Sequence, residues 1–410
     1  MADERGTLRE IAWLELFPWL SLARAVRLAV APRMLLLAAV GLVVTVLGWK
    51  AIGTVVPNAP ETTGWPWMAN GDIVPPVDPP SSWDAMVRPF VGPALVATAY
   101  LTQPFVQLFD PSNGGWRFVY WLLSALWELA VWAAVGGAIT RIAALALARE
   151  SRLGLFGGLR FGVAKWPAYF FAPLVPLAGG LLLMLVGLVY GLLMKVNFFA
   201  LVMSIGWPLM LLICLGMAIV LLGLLFGWAL MWPTVSTEGT DAFDAISRSY
   251  SYTFQRPLHY LFYGLVAALL GWLAAAVVFW VARETQTLAS WAVSWGTGAE
   301  RHDLLFLGQA TTEEPSWLLT STRNVLAFWN GAILLFAFAF LYSYFWTAAT
   351  AIYFLLRQNV DGTERDEVAV EEEAQTEQFG LPPLAADESG MPRVAEPGAP
   401  SSPEKPAEGK

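Results

Sequence analysis

A single acidic residue, Glu128, lies near the middle of a long apolar stretch, where an ionisable side chain could bind a proton or a cation. The alternative is a protonated or hydrogen-bonded carboxyl group that packs against neighbouring helices. The basic residue that follows it on the same stretch, Arg141, is 13 residues away, about 20 Å along an α-helix at about 1.5 Å per residue. Because no second carboxylate, His or Lys accompanies Glu128 at this depth, the sequence favours the packing role.

Motifs that supply catalytic or ligand-binding groups are missing from the sequence. It contains no nucleophile elbow, no Walker loop, no His-Glu-x-x-His run and no dinucleotide-binding glycine pattern. His259 and His302 lack neighbours at metal-ligand spacing, and the single cysteine, Cys214, excludes an internal disulfide or a thiolate zinc cluster. The sequence therefore predicts no catalytic residues, no metal, no cofactor and no nucleic-acid partner.

The rest of the chain is unusually apolar. Of its 410 residues, 57% are hydrophobic and only 14% are charged, against about 25% in soluble domains. A bilayer requires roughly 20 apolar residues per helix. Six stretches meet this length, at about Arg33–Val55, Arg117–Ala146, Tyr169–Met194, Phe199–Trp232, Leu258–Ala282 and Val325–Leu356. The predicted fold is all-α, a polytopic membrane helix bundle of six transmembrane helices with additional interfacial helices.

The distribution of Lys and Arg predicts how the chain is oriented. Of the 24 basic residues, 17 fall in segments that share a side with the amino terminus and 7 fall on the other side. Since cytoplasmic loops carry the excess of positive charge, both termini are expected in the cytoplasm of a bacterial cell. The segment 88–109 is apolar but contains Pro89, Pro93 and Pro104, which favours an interfacial or re-entrant helix over a seventh span.

These spans divide the chain into three predicted regions: residues 1–32, the membrane domain 33–356 with outer loops 56–116 and 283–322, and a tail over 357–410. Amphipathic helices that lie in the cytoplasmic interface are expected at Thr7–Val30, Glu150–Lys165 and Asp241–Phe254. From Asp361 onward there are 13 acidic and 4 basic residues, a net charge of −9. This composition predicts a disordered acidic tail.

Glycine, proline and tryptophan residues indicate how the helices contact each other and the lipid. The Gly-x-x-x-Gly pairs Gly187/Gly191 and Gly223/Gly227 predict close helix packing. Pro208, two residues after Gly206, predicts a kink in the fourth span. Many of the 21 tryptophans lie near span ends, where their rings are expected to anchor the helices in the headgroup layer.

The segment Pro233–Tyr260 carries a pattern of an apolar-Pro span end, Glu-Gly, an Ala-Leu-x-x-Ser-like helix and a basic residue before the next span. The matching positions are Pro233, Glu238, Gly239, Ala245, Ser249 and Arg256. This pattern resembles the membrane domain attached to some bacterial glycerophosphodiester phosphodiesterases and related uncharacterised membrane families. The resemblance implies a multi-pass membrane protein; it implies no enzyme activity, because the catalytic barrel has no counterpart here. From the residues themselves, Glu238 and Asp241 are expected at the start of a cytoplasmic helix, with Thr240 as its cap.

Two functions remain open on this basis. The first is a non-catalytic scaffold or accessory membrane protein that binds a cytoplasmic or membrane protein through its interfacial helices or its acidic tail, in contact with the lipid bilayer. The second is a permease for a small solute or a lipid, indicated by Glu128, Pro208 and the glycines of the third and fourth spans. The sequence favours the first.

Overall fold

A computed structural model describes residues 17–57, 59–60, 65, 67, 99–108, 110, 112–149, 152–307, 316–364, 367–369, 384–386 and 392–394. The chain divides into two units, Met1–Val368 and Ala369–Lys410. The first unit is a bundle of α-helices, which confirms the prediction of an all-α fold. The described residues of the second unit include two three-residue strands, Leu384–Ala386 and Pro392–Val394, which pair antiparallel.

In the described part of the first unit, a 3₁₀ turn at Pro18–Ser21 precedes the helices that we label α1 to α11. These are α1 (Leu22–Ala29), α2 (Pro32–Val55), α3 (Trp116–Ala148), α4 (Leu155–Ala164), α5 (Trp166–Leu193), α6 (Asn197–Ile205), α7 (Trp207–Glu238), α8 (Ala242–Gln255), α9 (Pro257–Thr297), α10 (Ala299–His302) and α11 (Trp317–Asp361). A further helical segment covers 99–108, and a π turn covers Asp303–Leu307. Among the described residues, α2, α3, α5, α7, α9 and α11 are long and apolar enough to cross a membrane.

Helices α3 and α11 form the centre of the bundle. The carboxyl-terminal part of α11, from Ala337 to Arg357, is buried on nearly all sides, and α3 is buried over most of its length. Both helices are rich in Ala, Gly, Ser and Thr, so that neighbouring backbones can approach closely. Hydrogen bonds add to this packing: the Ser343 hydroxyl donates to the Ala29 carbonyl oxygen at 3.0 Å, which attaches α11 to α1.

Helix α9 packs along α11 through residues that recur every three or four positions. The buried set on α9 is Tyr263, Ala267, Gly271, Ala275, Phe279, Ala282, Gln286 and Ser290. Tyr344 of α11 lies over Gly271 and donates to the Ala267 carbonyl oxygen at 2.6 Å. Small residues on one helix thus accommodate an aromatic ring of the other.

Two glycines of α4, Gly158 and Gly162, form a Gly-x-x-x-Gly pair that lies close to the backbone of α3. A contact of this pair was not predicted from the sequence. A Cβ atom added at Gly162 would lie 2.3 Å from the Ala134 carbonyl oxygen of α3. One turn earlier, a Cβ at Gly158 would lie 3.2 Å from the Ala138 carbonyl oxygen. The predicted interfacial helix Glu150–Lys165 is therefore packed directly against the backbone of α3.

Several predicted boundaries are wrong. The fourth predicted span is interrupted where the kink was expected: Gly206 ends the short helix α6, and Pro208 stands in the first turn of α7, where a missing N–H is harmless. Of the predicted outer loop 283–322, the part up to Thr297 continues α9, and α11 already begins at Trp317. Of the predicted helix Thr7–Val30, residues up to 16 are outside the structure's description, and α1 itself starts only at Leu22.

Two further predictions fall largely on residues that the structure leaves undescribed. In 88–109, only 99–108 is described, as helix, so the choice between an interfacial helix, a re-entrant helix and a seventh span stays a prediction. The same holds for most of the loop 56–116 and of the tail.

The tail does not begin at residue 357 as predicted. Helix α11 continues to Asp361 and ends at Gly362, whose φ of 66° is left-handed. The chain then returns to the bundle, where Val368 is buried in a small apolar cluster with Phe354 and Leu145. The backbone here is also held by Arg357, which donates to the Glu367 carbonyl oxygen at 2.7 Å.

The half of the α5–α7 hairpin nearest α6 contrasts with this core. Large apolar side chains point away from the protein there, including Leu182 and Leu212, each 64% exposed. An apolar surface of this extent is suited to lipid rather than water. The hairpin is thus packed into the bundle at one end and presents an exposed apolar surface at the other.

We predict that Gly162→Ala destabilises the bundle by about 1–3 kcal/mol, because its methyl group would overlap the α3 backbone. The matched control is Gly179→Ala in α5, where a Cβ meets no described atom within 4 Å and alanine's helix propensity favours the variant. Thermal unfolding of the purified protein in detergent measures both. Equal midpoints for the two variants would contradict the close α3–α4 contact.

Candidate functional site

Charged and polar side chains gather at one end of the bundle, which we call the arginine-rich end after Arg141, Arg149, Arg248 and Arg357. At its centre is Glu238, the last residue of α7. One of its carboxylate oxygens is 2.7 Å from a guanidinium nitrogen of Arg248 on α8. The other accepts a hydrogen bond from the Tyr353 hydroxyl on α11 and lies 3.6 Å from Nε of Arg357. One carboxylate thus joins three helices.

The position of Glu238 differs from the prediction. It ends α7 rather than beginning the next helix, and Gly239 follows it with a left-handed φ of 67°. A negative charge at a helix carboxyl terminus is unfavourable for the helix dipole, so the two arginines offset an electrostatic cost. Thr240 is not the cap of α8; the Asp241 carboxylate accepts the Asp244 backbone N–H at 2.9 Å instead.

A second carboxylate is held nearby. The Tyr252 hydroxyl on α8 donates to the carboxylate of Asp361 at the end of α11. Burial, and then the hydrogen bond to Asp361, raise the pKa of Tyr252 well above its ordinary value, so the phenol stays a donor throughout the physiological range. Partial burial alone would lower the pKa of Arg248, but the carboxylates of Glu238 and Asp244 raise it, so the guanidinium stays charged.

The other hydroxyl-rich cluster at this end surrounds Ser236 of α7, which is fully buried. Its hydroxyl lies 2.6 Å from the Thr140 hydroxyl and 2.7 Å from the Tyr169 hydroxyl, which join α3 and α5 to α7. The Ser236 carbonyl oxygen accepts from Arg141 at 2.6 Å, and this guanidinium lies 4.2 Å from the centre of the Phe161 ring. Lys165 donates to the Gly239 carbonyl oxygen at 2.6 Å.

The residues of the family-like pattern lie along α7 and α8. Pro233 is buried inside α7, and Ala245 and Ser249 are buried on the face of α8 turned towards the bundle. Arg256 stands apart, exposed at the junction of α8 and α9. Glu238 and Gly239 lie at the α7–α8 turn, whereas the other four lie within α7, within α8 or at the α8–α9 junction. Within the described contacts only Glu238 joins the charge network.

The two predicted glycine pairs have different surroundings. Gly223 and Gly227 face the ring of Tyr250 on α8, at 2.3 Å and 3.2 Å from an added Cβ. Burial raises the pKa of Tyr250 to about 12, and its hydroxyl donates to the Val220 carbonyl oxygen at 2.9 Å. Gly187 lies against Met210, whereas an added Cβ at Gly191 would meet no described atom within 4 Å.

Glu128 lies on α3, away from the arginine-rich end, and is 5% exposed. Its Oε2 atom has no hydrogen-bond partner in the described protein. Tyr342 of α11 is close enough to interact with it electrostatically. Glu128 therefore belongs to a different environment from Glu238, in which aromatic and hydroxyl groups take the place of the arginines.

The residues that sequence reasoning missed are the partners of Glu238. Tyr353 and Arg357 are one helical turn apart at the end of the last apolar stretch, a signal of a shared face directed at a buried acid. Arg248 follows Asp244 by four positions, a spacing typical of an ion pair on a helix surface. This spacing gives no indication of its second ion pair, with Glu238. What the cluster does chemically is to neutralise charge inside the protein; no nucleophile with an adjacent base is found among the described contacts.

No family model, curated protein or solved structure matches this chain. The resemblance to the membrane domain of glycerophosphodiester phosphodiesterases therefore stays a prediction.

We predict that Glu238→Gln lowers the free energy of unfolding by about 3 kcal/mol, because two guanidinium groups lose a partially desolvated counter-charge. Asp244→Asn is the matched control. It also removes a partner of Arg248, but the Asp244 side chain is 40% exposed, so the expected cost is below about 0.5 kcal/mol. Unfolding titrations in mixed micelles compare the two. If both variants lower the free energy of unfolding by the same amount, Glu238 does not stabilise the fold more than an exposed ion-pair partner does.

Proposed function

We propose that the protein is a non-catalytic integral membrane scaffold, an accessory component that holds an acidic cytoplasmic tail at the membrane surface for a protein partner. The observation that supports this most is the network around Glu238. The carboxylate joins α7, α8 and α11 and is occupied by Arg248, Arg357 and Tyr353. Because these side chains are occupied by one another, we assign them a structural role, which is to fix the shape of this surface, and no role in a reaction.

The attachment of the tail supports the same role. Val368 is buried against the bundle, and its carbonyl oxygen accepts from Arg149 at 3.2 Å. Beyond it, residues 369–410 contain 9 acidic and 3 basic residues, a net charge of −6. The fold therefore gives this acidic segment a fixed starting point beside the arginine-rich end. A partner with a basic surface matches its charge.

The proposed location is the bacterial cell membrane, with the arginine-rich end and both termini in the cytoplasm. Six helices that could cross a membrane support a multi-pass arrangement, and the positive-inside rule supplies the direction. The lipid bilayer is then the partner of the exposed apolar faces.

We predict that a membrane-impermeant thiol reagent labels Glu300→Cys but not Ser247→Cys in intact cells, both in a Cys214→Ser background. Glu300 is exposed on α10, and Ser247 is exposed on α8 near the arginine-rich end. Permeabilised cells, in which both positions should react, are the control. Labelling of Ser247→Cys before permeabilisation would reverse the proposed orientation.

We predict that binding of cytoplasmic proteins is lost when residues 370–410 are deleted, with Val368 kept so that the bundle is undisturbed. A chain whose tail acids are changed to Gln should fail in the same way, and a tail of shuffled sequence but equal charge should still bind, because the attraction is electrostatic. Quantitative co-purification at low and high salt measures this. An unchanged set of bound proteins after deletion would refute the scaffold role of the tail.

A further inference from the structure

We propose that one face of α3 binds a file of water molecules that leads from the amino-terminal end of the helix to Glu128, and that Glu128 is a proton-binding site. The face consists of Trp121, Ser124, Glu128 and Trp132. We call it the polar stripe of α3. Nothing in the proposed scaffold function requires it.

The polar stripe is defined by unpartnered atoms. Nε1 of Trp121, Oε2 of Glu128 and Nε1 of Trp132 are buried and have no hydrogen-bond partner in the described protein, and between them lies the Ser124 hydroxyl, which interacts with the Tyr120 side chain. Their side chains are between 0% and 9% exposed. Buried polar groups without partners are uncommon and each requires an explanation.

The spacing of these residues brings them together. They follow one another at intervals of three, four and four positions, which places them on a single side of an α-helix. Trp132 follows Trp121 by 11 positions, so the stripe is about 16 Å long at about 1.5 Å per residue. Three unsatisfied atoms along one line, with the Ser124 hydroxyl between them, indicate a shared ligand more readily than three independent defects.

The chemistry of the four groups selects that ligand. An indole N–H only donates, an ionised carboxylate only accepts, and a hydroxyl does both. A molecule that serves all of them must accept from Trp121 and Trp132 and donate to Glu128. Water does so with two to four hydrogen bonds per molecule, and a proton added to Glu128 is carried by the same chain. A metal cation would face the two indole N–H donors, which favours water.

The stripe is closed at its inner end. One turn beyond Trp132 is Gly136, where an added Cβ would lie 2.4 Å from the ring of Trp232 and 3.2 Å from that of Trp346. These two rings are stacked with their centres 4.1 Å apart. A path that ends against stacked indoles can exchange protons with one side only, so it is a binding site rather than a through-channel.

Other helices supply the walls of the stripe. Tyr342 of α11 has its ring centre 5.3 Å from that of Trp132 and interacts electrostatically with Glu128 and Tyr100. From α2, the Trp49 indole donates to the Ser124 carbonyl oxygen at 3.1 Å. The Tyr342 phenol is therefore a titratable group beside Glu128, and it interacts in turn with Tyr100; both phenols are neutral when protonated.

Water access is tested with cysteines at three consecutive positions in a Cys214→Ser background: Leu123→Cys, Ser124→Cys and Ala125→Cys. Leu123 is exposed on the apolar surface, Ser124 is in the stripe, and Ala125 is buried beside it. Only a hydrated thiol ionises and reacts with a small methanethiosulfonate cation, so Ser124→Cys should react at least about tenfold faster than the other two. Equal rates at all three positions would overturn the water file.

Proton binding is tested on the wild-type protein and on Glu128→Gln, which keeps the side-chain volume. Acid-induced infrared difference spectra should contain one protonated-carboxyl band that is absent from Glu128→Gln and that shifts when H₂O is replaced by D₂O. If the two proteins give identical spectra, or if the band does not shift in D₂O, Glu128 is not a water-connected proton site. Gel filtration of both proteins verifies that they share one fold.

Discussion

The bundle depends on the neutralisation of one negative charge, the carboxylate of Glu238. This group lies at the carboxyl end of α7, where the helix dipole disfavours it, and its side chain is only 10% exposed. Burial of a charge is tolerated only when partners are close and well placed. Arg248 and Arg357 provide these partners from two different helices. Since both guanidinium groups must lie close to the Glu238 carboxylate, α8 and α11 are held against the end of α7.

Hydrogen bonds from aromatic side chains also hold the helices together. Aromatic side chains donate hydrogen bonds to carbonyl oxygens of neighbouring helices: Trp127 to Val44 at 3.2 Å, Trp166 to Ala130 at 2.8 Å and Trp232 to Tyr169 at 2.9 Å. A helical carbonyl oxygen keeps a second lone pair after its own backbone bond, so it can accept such a donor. In a medium without water, each of these bonds lacks a competitor.

The positions of the long helices could be predicted from the sequence, but the contacts between them could not. Apolar length alone predicts six spans, because a bilayer demands it, and the structure has six helices of that kind among its described residues. The tryptophans show the limit: position near a span end suggests a headgroup anchor, yet Trp49, Trp132 and Trp232 are 3–6% exposed in helix contacts. Whether a ring faces lipid or protein depends on the neighbouring helix, which hydropathy does not specify. For the same reason Glu238 could be noticed, but neither the spacing of Arg248 from Asp244 nor that of Tyr353 from Arg357 says which other acid these residues contact.

Helix α9 is longer than one crossing of a bilayer requires. Its 41 residues measure about 61 Å at about 1.5 Å per residue, twice the roughly 30 Å of a hydrocarbon layer, and α11 is longer still at 45 residues. The two remain in contact far along this length, since Gln286 of α9 donates to the Asn330 carbonyl oxygen of α11 at 2.8 Å. Paired in this way, the two helices form one continuous segment that is longer than a hydrocarbon layer is thick.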